Sequence, residues 1–231
     1  MEVKKLEFIG PRVMPGGQKE MDYFCQVPEF QQRCQSGNAV VIPRRDQVAD
    51  GRGSTGKLFS QTLNTADTIP HCIVMFEDTY TAQSSTQPWL PISTCSVFYQ
   101  LGEGVCGFGN ICHGGIQTTL LDDVMGVLGV LNARLQDGII PSKVPGAYWP
   151  RNNPGMVDLT KSLFATQGIE VKFLRPLRTP QVIEVSAQLV DMDVSGGSFT
   201  VQCVIRDMKG KQYAVANANW VIHTPRPRSR L

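Results

Sequence analysis

The chain has 231 residues, 42% of them apolar, with 22 basic and 20 acidic side chains and a formal net charge of +2. That suits one domain of ordinary size with an extension and a full core. The basic residues are scattered rather than striped and no aromatic–basic reader motif occurs, which sets nucleic acid aside as a partner.

The seven cysteines, Cys25, Cys34, Cys72, Cys95, Cys106, Cys112 and Cys203, are odd in number and irregular in spacing, and form no CxxC pair. This argues against a disulfide framework and structural zinc, and for a reducing compartment. The opening MEVKKLEFIGPRVMPGG lacks the apolar region of a secretory signal. Residues 1–60 are rich in Gly, Pro, Gln, Arg and Ser. They read as an arm packing on the core, with one or two helical turns around 27–36 and a mobile stretch near 44–57. A turn from Asn64-Thr65 to Ile69-Pro70 precedes the apolar stretch His71-Cys72-Ile73-Val74-Met75-Phe76, and 81–91 is a loop. The expected organisation is an N-terminal extension over 1–90, a core domain over 91–224 and an exposed tail over 225–231.

From residue 93 the pattern tightens. Residues 93–100 read as a strand, 102–110 as a Gly-rich loop, and about 115 to 135 as a helix. Its apolar residues, among them Ile116, Leu120, Leu121, Val124, Met125, Val127, Leu128 and Leu131, point to nearly every side, as in a helix inside a core. Asp122, Asp123, Asn132 and Arg134 interrupt the run, so no span reaches the ~18 apolar residues of a membrane helix. A buried carboxylate costs several kcal/mol unless it is paired or shifted, so Asp122 needs a reason, and a functional site is the usual one. Gly114-Gly115 opens the helix with bare backbone N–H groups that a ligand oxygen can approach. Gly126 and Gly129, which each cost the helix about 1 kcal/mol against Ala, point to close packing on a sheet.

A long connection over 137–155, with Tyr148 and Trp149 as candidate pocket walls, leads into four alternating strands. Their apolar faces carry Ile169, Val171 and Phe173; then Ile183, Val185, Ala187 and Leu189; then Phe199, Val201, Cys203 and Ile205; then Ala214, Ala216, Ala218, Trp220 and Ile222. Arg178-Thr179-Pro180 links the first two, and Ser195-Gly196-Gly197 and Met208-Lys209-Gly210-Lys211 are hairpin turns. The reading is α+β, one buried helix on an antiparallel meander of four strands. The uncovered face or edge of such a sheet calls for dimerisation.

His113-Gly114-Gly115 followed by Asp122, with Val171-Lys172-Phe173-Leu174-Arg175-Pro176-Leu177 and the small-residue strand 214–220, resembles the phenylacetyl-CoA-type branch of the hotdog-fold thioesterases over about 93–223. The resemblance implies a hotdog fold, an antiparallel sheet wrapped around one long helix. It implies hydrolysis of an acyl thioester such as an acyl-CoA, with no cofactor and no metal, at a site shared across a homodimer or tetramer. Gly114 would offer its N–H to the thioester carbonyl at the helix N-terminus. Asp122 would act as base on water or as nucleophile through a mixed anhydride. Thr166 would orient the water and His113 would brace the loop or help place that water. Gly115, Asn110 and Arg175 are candidates for substrate contact, Arg175 with Lys172 and Arg178 towards coenzyme A phosphates. One departure stands out: where relatives carry Asn six residues before the histidine, this chain has Gly107, and its nearby amide is Asn110.

Plainer readings stand beside these. Asp122 could be a paired helix acid, Thr166 a plain strand residue and Asp123 a partner residue, while His71 and His223 carry no assigned role. Cys112 beside His113 suggests a Cys–His nucleophile, but neighbours in an extended segment point to opposite sides, which favours a buried inert thiol. Two other functions remain on the same fold: a dehydratase or hydratase, although its His-Phe-Pro and Gly-Asp-x-Asn-Pro elements are missing, and a non-catalytic acyl-binding protein. The chain ends Ser229-Arg230-Leu231 after a Pro-Arg-Pro-Arg stretch, a variant of the Ser-Lys-Leu address read by the peroxisomal import receptor. The expected location is the peroxisome, or the cytoplasm if those residues fall there by chance.

Overall fold

Chain segments that are apolar on both sides have to be covered on both sides, and this organises the molecule. The computed structural model describes residues 12–14, 16–35, 39–43, 56–78, 88–140, 142, 144 and 146–223. Residues 44–55 of the expected mobile stretch, 81–87 of the expected loop and the tail 225–231 lie outside them.

In chain order the strands are β1 (Arg12–Val13), β2 (Ala39–Pro43), β3 (Cys72–Glu77), β4 (Thr94–Leu101), β5 (Cys106–Phe108), β6 (Ile111–Cys112), β7 (Leu163–Phe173), β8 (Gln181–Asp193), β9 (Ser198–Asp207) and β10 (Gln212–His223). The helices are α1 (Gln18–Phe24), α2 (Pro28–Cys34) and α3 (Gly114–Gln136). Eight strands form one sheet in the order β1-β2-β3-β4-β8-β9-β10-β7, and β5-β6 is a separate hairpin. The pairs in the large sheet are antiparallel except β1 with β2. α3 packs on β4, β7, β8, β9 and β10. A large, mostly antiparallel sheet around one long helix is the hotdog arrangement, of α+β class.

The alternation along β9 and β10 turns Phe199, Val201, Cys203, Ile205, Ala214, Ala216, Ala218 and Trp220 inward, all buried. Glycines on α3 meet two aromatic rings of the sheet. A Cβ added to Gly126 would lie 2.9 Å from Trp220, and one on Gly129 3.3 Å from Phe164.

Two expectations change. The last four strands are not a meander in chain order: β8, β9 and β10 are, whereas β7 lies at the edge beyond β10. The segment 174–180 is therefore a crossing rather than a hairpin turn. It runs extended past β6, with the Cys112 N–H on Leu177 O at 2.8 Å and the Thr179 N–H on Asn110 O at 3.0 Å, and it delivers β8 beside β4 in the register Val97↔Val185. The Gly-rich loop 102–110 also has structure: β5 and β6 turn tightly at Gly109 and Asn110, with φ of 43° and 59°.

The first third of the chain joins the sheet through β1–β3. α1 and α2 lie on the face away from α3, where Met21, Phe24, Phe30 and Cys34 pack with Ala39, Val41, Ile73, Met75 and Phe98. β3 and β4 are thus buried on both faces, which is why their sequences run apolar without alternation. Polar side chains secure the layers. Asn132, fully buried on α3, donates to Ile92 O and Leu128 O and accepts the Ile92 N–H. One turn later Gln136 donates to Val157 O and accepts the Leu159 N–H. Tyr148 is buried, and its hydroxyl donates to Asp78, which also pairs with Arg12. Trp149 is exposed, with the Arg151 guanidinium over its ring at 4.3 Å.

Candidate active site

The β5–β6 hairpin ends in the residue that caps α3. His113 is extended at φ −59°, ψ 136°, and its Nδ1 accepts the Gly115 N–H at 2.9 Å. A neutral imidazole accepting at Nδ1 carries its proton on Nε2, so the exposed ring presents a donor. Gly107 explains how the ring fits. A Cβ at that position would lie 3.0 Å from His113 Cδ2 and 3.3 Å from His113 Cα. The departure from the family pattern thus leaves the space that His113 occupies.

The first N–H groups of a helix have no intrahelical partner. Here Gly115 gives its own to His113, while Gly114, the first residue of α3, keeps a helix-start N–H with no intrahelical partner. The Phe173 ring borders it: a Cβ on Gly114 would sit 3.4 Å from Phe173 Cζ. Phe173 is 52% exposed, so the approach to Gly114 has an apolar wall. The Thr118 and Thr119 hydroxyls return to Gly114 O and Gly115 O at 3.1 and 2.9 Å, which steadies the first turn.

Asp122 is half-buried and accepts a hydrogen bond from the Thr166 hydroxyl at 2.6 Å, Oγ1 to Oδ1. The bond depends on an irregularity in β7. The ladder with β10 pairs Asn219 with Gly168 but Trp220 with Thr166, leaving Gln167 as a bulge. The extra residue resets the alternation, so that Thr166 faces α3 along with Ile169 and Val171. Asp123, next in the chain, points to another strand and accepts from the buried Tyr99 hydroxyl on β4 at 3.3 Å. Burial first, and then the Asp123 carboxylate, push the Tyr99 hydroxyl well above its ordinary range.

The structure joins some expected residues and separates others. His113, Gly114 and Gly115 form one unit, and Asp122 with Thr166 another. Asp122 follows Gly114 by eight residues, about 12 Å of helix at ~1.5 Å per residue, so one chain does not bring the two units onto one reacting atom. Asn110 is spent on the hairpin turn, where its carbonyl receives the Thr179 N–H. Arg175 lies just past β7 with its guanidinium on Gln212 O at 2.6 Å. Cys112 is buried while His113 is exposed, and burial pushes the Cys112 thiol up to about 12. That geometry does not make a Cys–His nucleophile. Sequence reasoning missed Gln117, buried one turn into α3. Its Nε2 donates to Cys112 O at 3.1 Å, and its Oε1 has no partner among the described residues. A polar residue one turn beyond Gly-Gly was the available signal. A separate cleft of about 440 Å³, lined by Glu29, Arg33, Glu184 and Lys209, belongs to the α2 side of the sheet, across from these groups.

No family model matches the chain. Among solved structures it is similar to a thioesterase from Haemophilus influenzae at 11% identity, over 68% of this chain and 82% of that one, with a TM-score of 0.44. It is also similar to a hypothetical thioesterase with coenzyme A from Streptococcus pneumoniae, at 11% identity over 62% and 86%, TM-score 0.42. A third is the PaaI protein of the E. coli phenylacetic acid degradation operon, at 13% identity over 57% and 75%, TM-score 0.39.

Proposed function

We propose that the chain is an acyl thioester hydrolase acting on an acyl-CoA as a homodimer, with Gly114 of one copy and Asp122 of the other in each site. The observation that carries this is the Thr166–Asp122 hydrogen bond, a half-buried carboxylate oriented by a hydroxyl in the middle of the core helix. It gives the acid a fixed direction and leaves its second oxygen for water. Two copies of α3 running antiparallel across an interface would offset the ~12 Å between donor and acid within one chain.

In this reading the thioester carbonyl accepts the Gly114 N–H, where the helix end also favours developing negative charge. Asp122 takes a proton from the attacking water while Thr166 holds the carboxylate, and the thiol leaves protonated. The exposed Nε2–H of His113 is a second donor at the rim. The hydratase alternative needs a histidine base, and Nδ1 of His113, the nitrogen free to be basic, is engaged by Gly115. The tail Ser229-Arg230-Leu231 adds a peroxisomal location to the proposal, tested by fluorescent fusions with and without those residues.

Hydrolysis of short, long and aromatic acyl-CoA esters, read by free-thiol release, tests the function. Turnover that disappears in Asp122→Asn while acyl-CoA binding persists is the expected result. An Asp122→Asn protein that works at the unaltered rate would remove Asp122 from the chemistry. Mixing inactive Asp122→Asn with a Gly114 variant tests the shared site, since recovered turnover in the mixture requires that the two halves come from different copies.

A further inference from the structure

We propose that Cys106 and Cys112 form an oxidisable dithiol, a covalent modification site that a peroxide closes to a disulfide across the β5–β6 hairpin. The two residues are direct cross-strand partners. The kind of pair matters. The His113 N–H donates to Val105 O at 2.9 Å, flanking the pair, while the Cys112 N–H donates away from Cys106, to Leu177 O at 2.8 Å. Cys106 and Cys112 therefore exchange no backbone hydrogen bonds with each other. They form the narrow kind of antiparallel pair, whose Cα atoms stand about 4.5 Å apart with side chains on one face. A disulfide spans Cα separations of about 4.4–6.8 Å, so the hairpin already holds the pair within bonding range.

Their environments divide the roles. Cys106 is half-buried, and its Sγ lies 2.9 Å from Thr179 Oγ1. Cys112 is buried, and its thiol is pushed up to about 12 by burial and, secondarily, by Cys106. The peroxide meets Cys106 first: the sulfur attacks one peroxide oxygen, the O–O bond breaks, and Cys106 sulfenic acid and one water result. The Cys112 sulfur then displaces the hydroxyl from Cys106 Sγ, forming the S–S bond and a second water. Two thiols lose two electrons and two protons, and the peroxide leaves as two waters. Neither sulfur has a part in the hydrolysis proposed above, so this site stands or falls separately. Cys25 and Cys34, one half-buried and one buried near the ends of α1 and α2, are not cross-strand partners and provide an internal comparison.

The test uses the reduced full-length protein and hydrogen peroxide, followed by denaturation, maleimide capping and chymotryptic digestion, which cuts after Phe108 between the two cysteines. The expected result is a loss of two maleimide additions, an intact mass lower by about 2 Da before capping, and a linked peptide pair holding Cys106 and Cys112. In Cys112→Ala, dimedone should trap Cys106 as its sulfenic acid. Wild-type protein in which Cys106 goes on to sulfinic acid unlinked would overturn the proposal. So would protein in which both sulfurs still take maleimide after Cys25 has been oxidised. The wild-type digest decides even if the variant fails to fold.

Discussion

Replacing Gly114 with proline separates the chemistry at the helix end from its fold. Gly114 is the first residue of α3, the position where proline is welcome because the N–H it lacks has no intrahelical partner. The preceding residue must be extended, and His113 already is, at ψ 136°. The added Cβ meets Phe173 Cζ at 3.4 Å, an ordinary contact. The helix should therefore persist, with stability unchanged or raised by about 0.4–1 kcal/mol through the stiffer unfolded chain. The reaction should not tolerate the change, because the proposed carbonyl donor is gone. Loss of one such donor costs about 10²–10³ in kcat, or ~2.7–4 kcal/mol. Thermal unfolding and acyl-CoA hydrolysis measured on one preparation give both numbers. Full activity at unchanged Tm would refute the role of the Gly114 N–H, and a collapsed Tm would refute the account of the cap.

Thr166→Val keeps the shape of the side chain but removes the donor to Asp122. Hydrogen bonds to charged groups are worth about 1.5–3 kcal/mol, so steady-state kinetics should show kcat lower by roughly ten- to hundredfold, with Thr166→Ser close to wild type. Serine and valine variants that are equally impaired would reject the hydroxyl's role. Gly126→Ala drives a methyl to 2.9 Å from the buried Trp220 ring, and overpacking of about 1–3 kcal/mol should exceed the ~1 kcal/mol gained in helix propensity. Gly129→Ala meets Phe164 at 3.3 Å, a half-buried ring at the sheet edge that can shift, so denaturant midpoints should rank Gly129→Ala the more stable of the two. Asn132→Leu leaves both backbone polar groups of Ile92 without their side-chain partner in a buried place. A loss of about 2–6 kcal/mol in urea unfolding is expected, from ~1–3 per orphaned group.

Legibility in the sequence followed solvent contact. β9 and β10 carry one buried face, so a period of two marks them, and α3 announces itself by an apolar run too long for a strand. β4 still reads as a strand over 93–100, whereas β3, buried on both faces, has no period and reads only as an apolar stretch. Strand order was hidden for a different reason. β7 and β8 are neighbours in sequence, and nothing local says that 174–180 crosses the sheet instead of turning back. In the site, His113-Gly114-Gly115 and its spacing to Asp122 could be recognised from residues alone. The Thr166–Asp122 bond could not be, since it spans 44 positions and depends on a bulge at Gln167. Gly107 looked like a missing amide, and its reason is steric: the His113 ring fills the space its side chain would take.

The layer formed by α1 and α2 bears on where the molecule can be cut. A protein shortened to begin near residue 91, at the boundary suggested by composition, would keep α3 and the strands around it. It would also lose β3, the partner that pairs with β4, and uncover Phe98, which is wholly buried beneath Phe24 and Phe30. An unpaired strand edge beside a bared aromatic surface is a template for self-association. The first third of the chain therefore closes a strand edge and covers an apolar face, and minimal versions for expression should retain it.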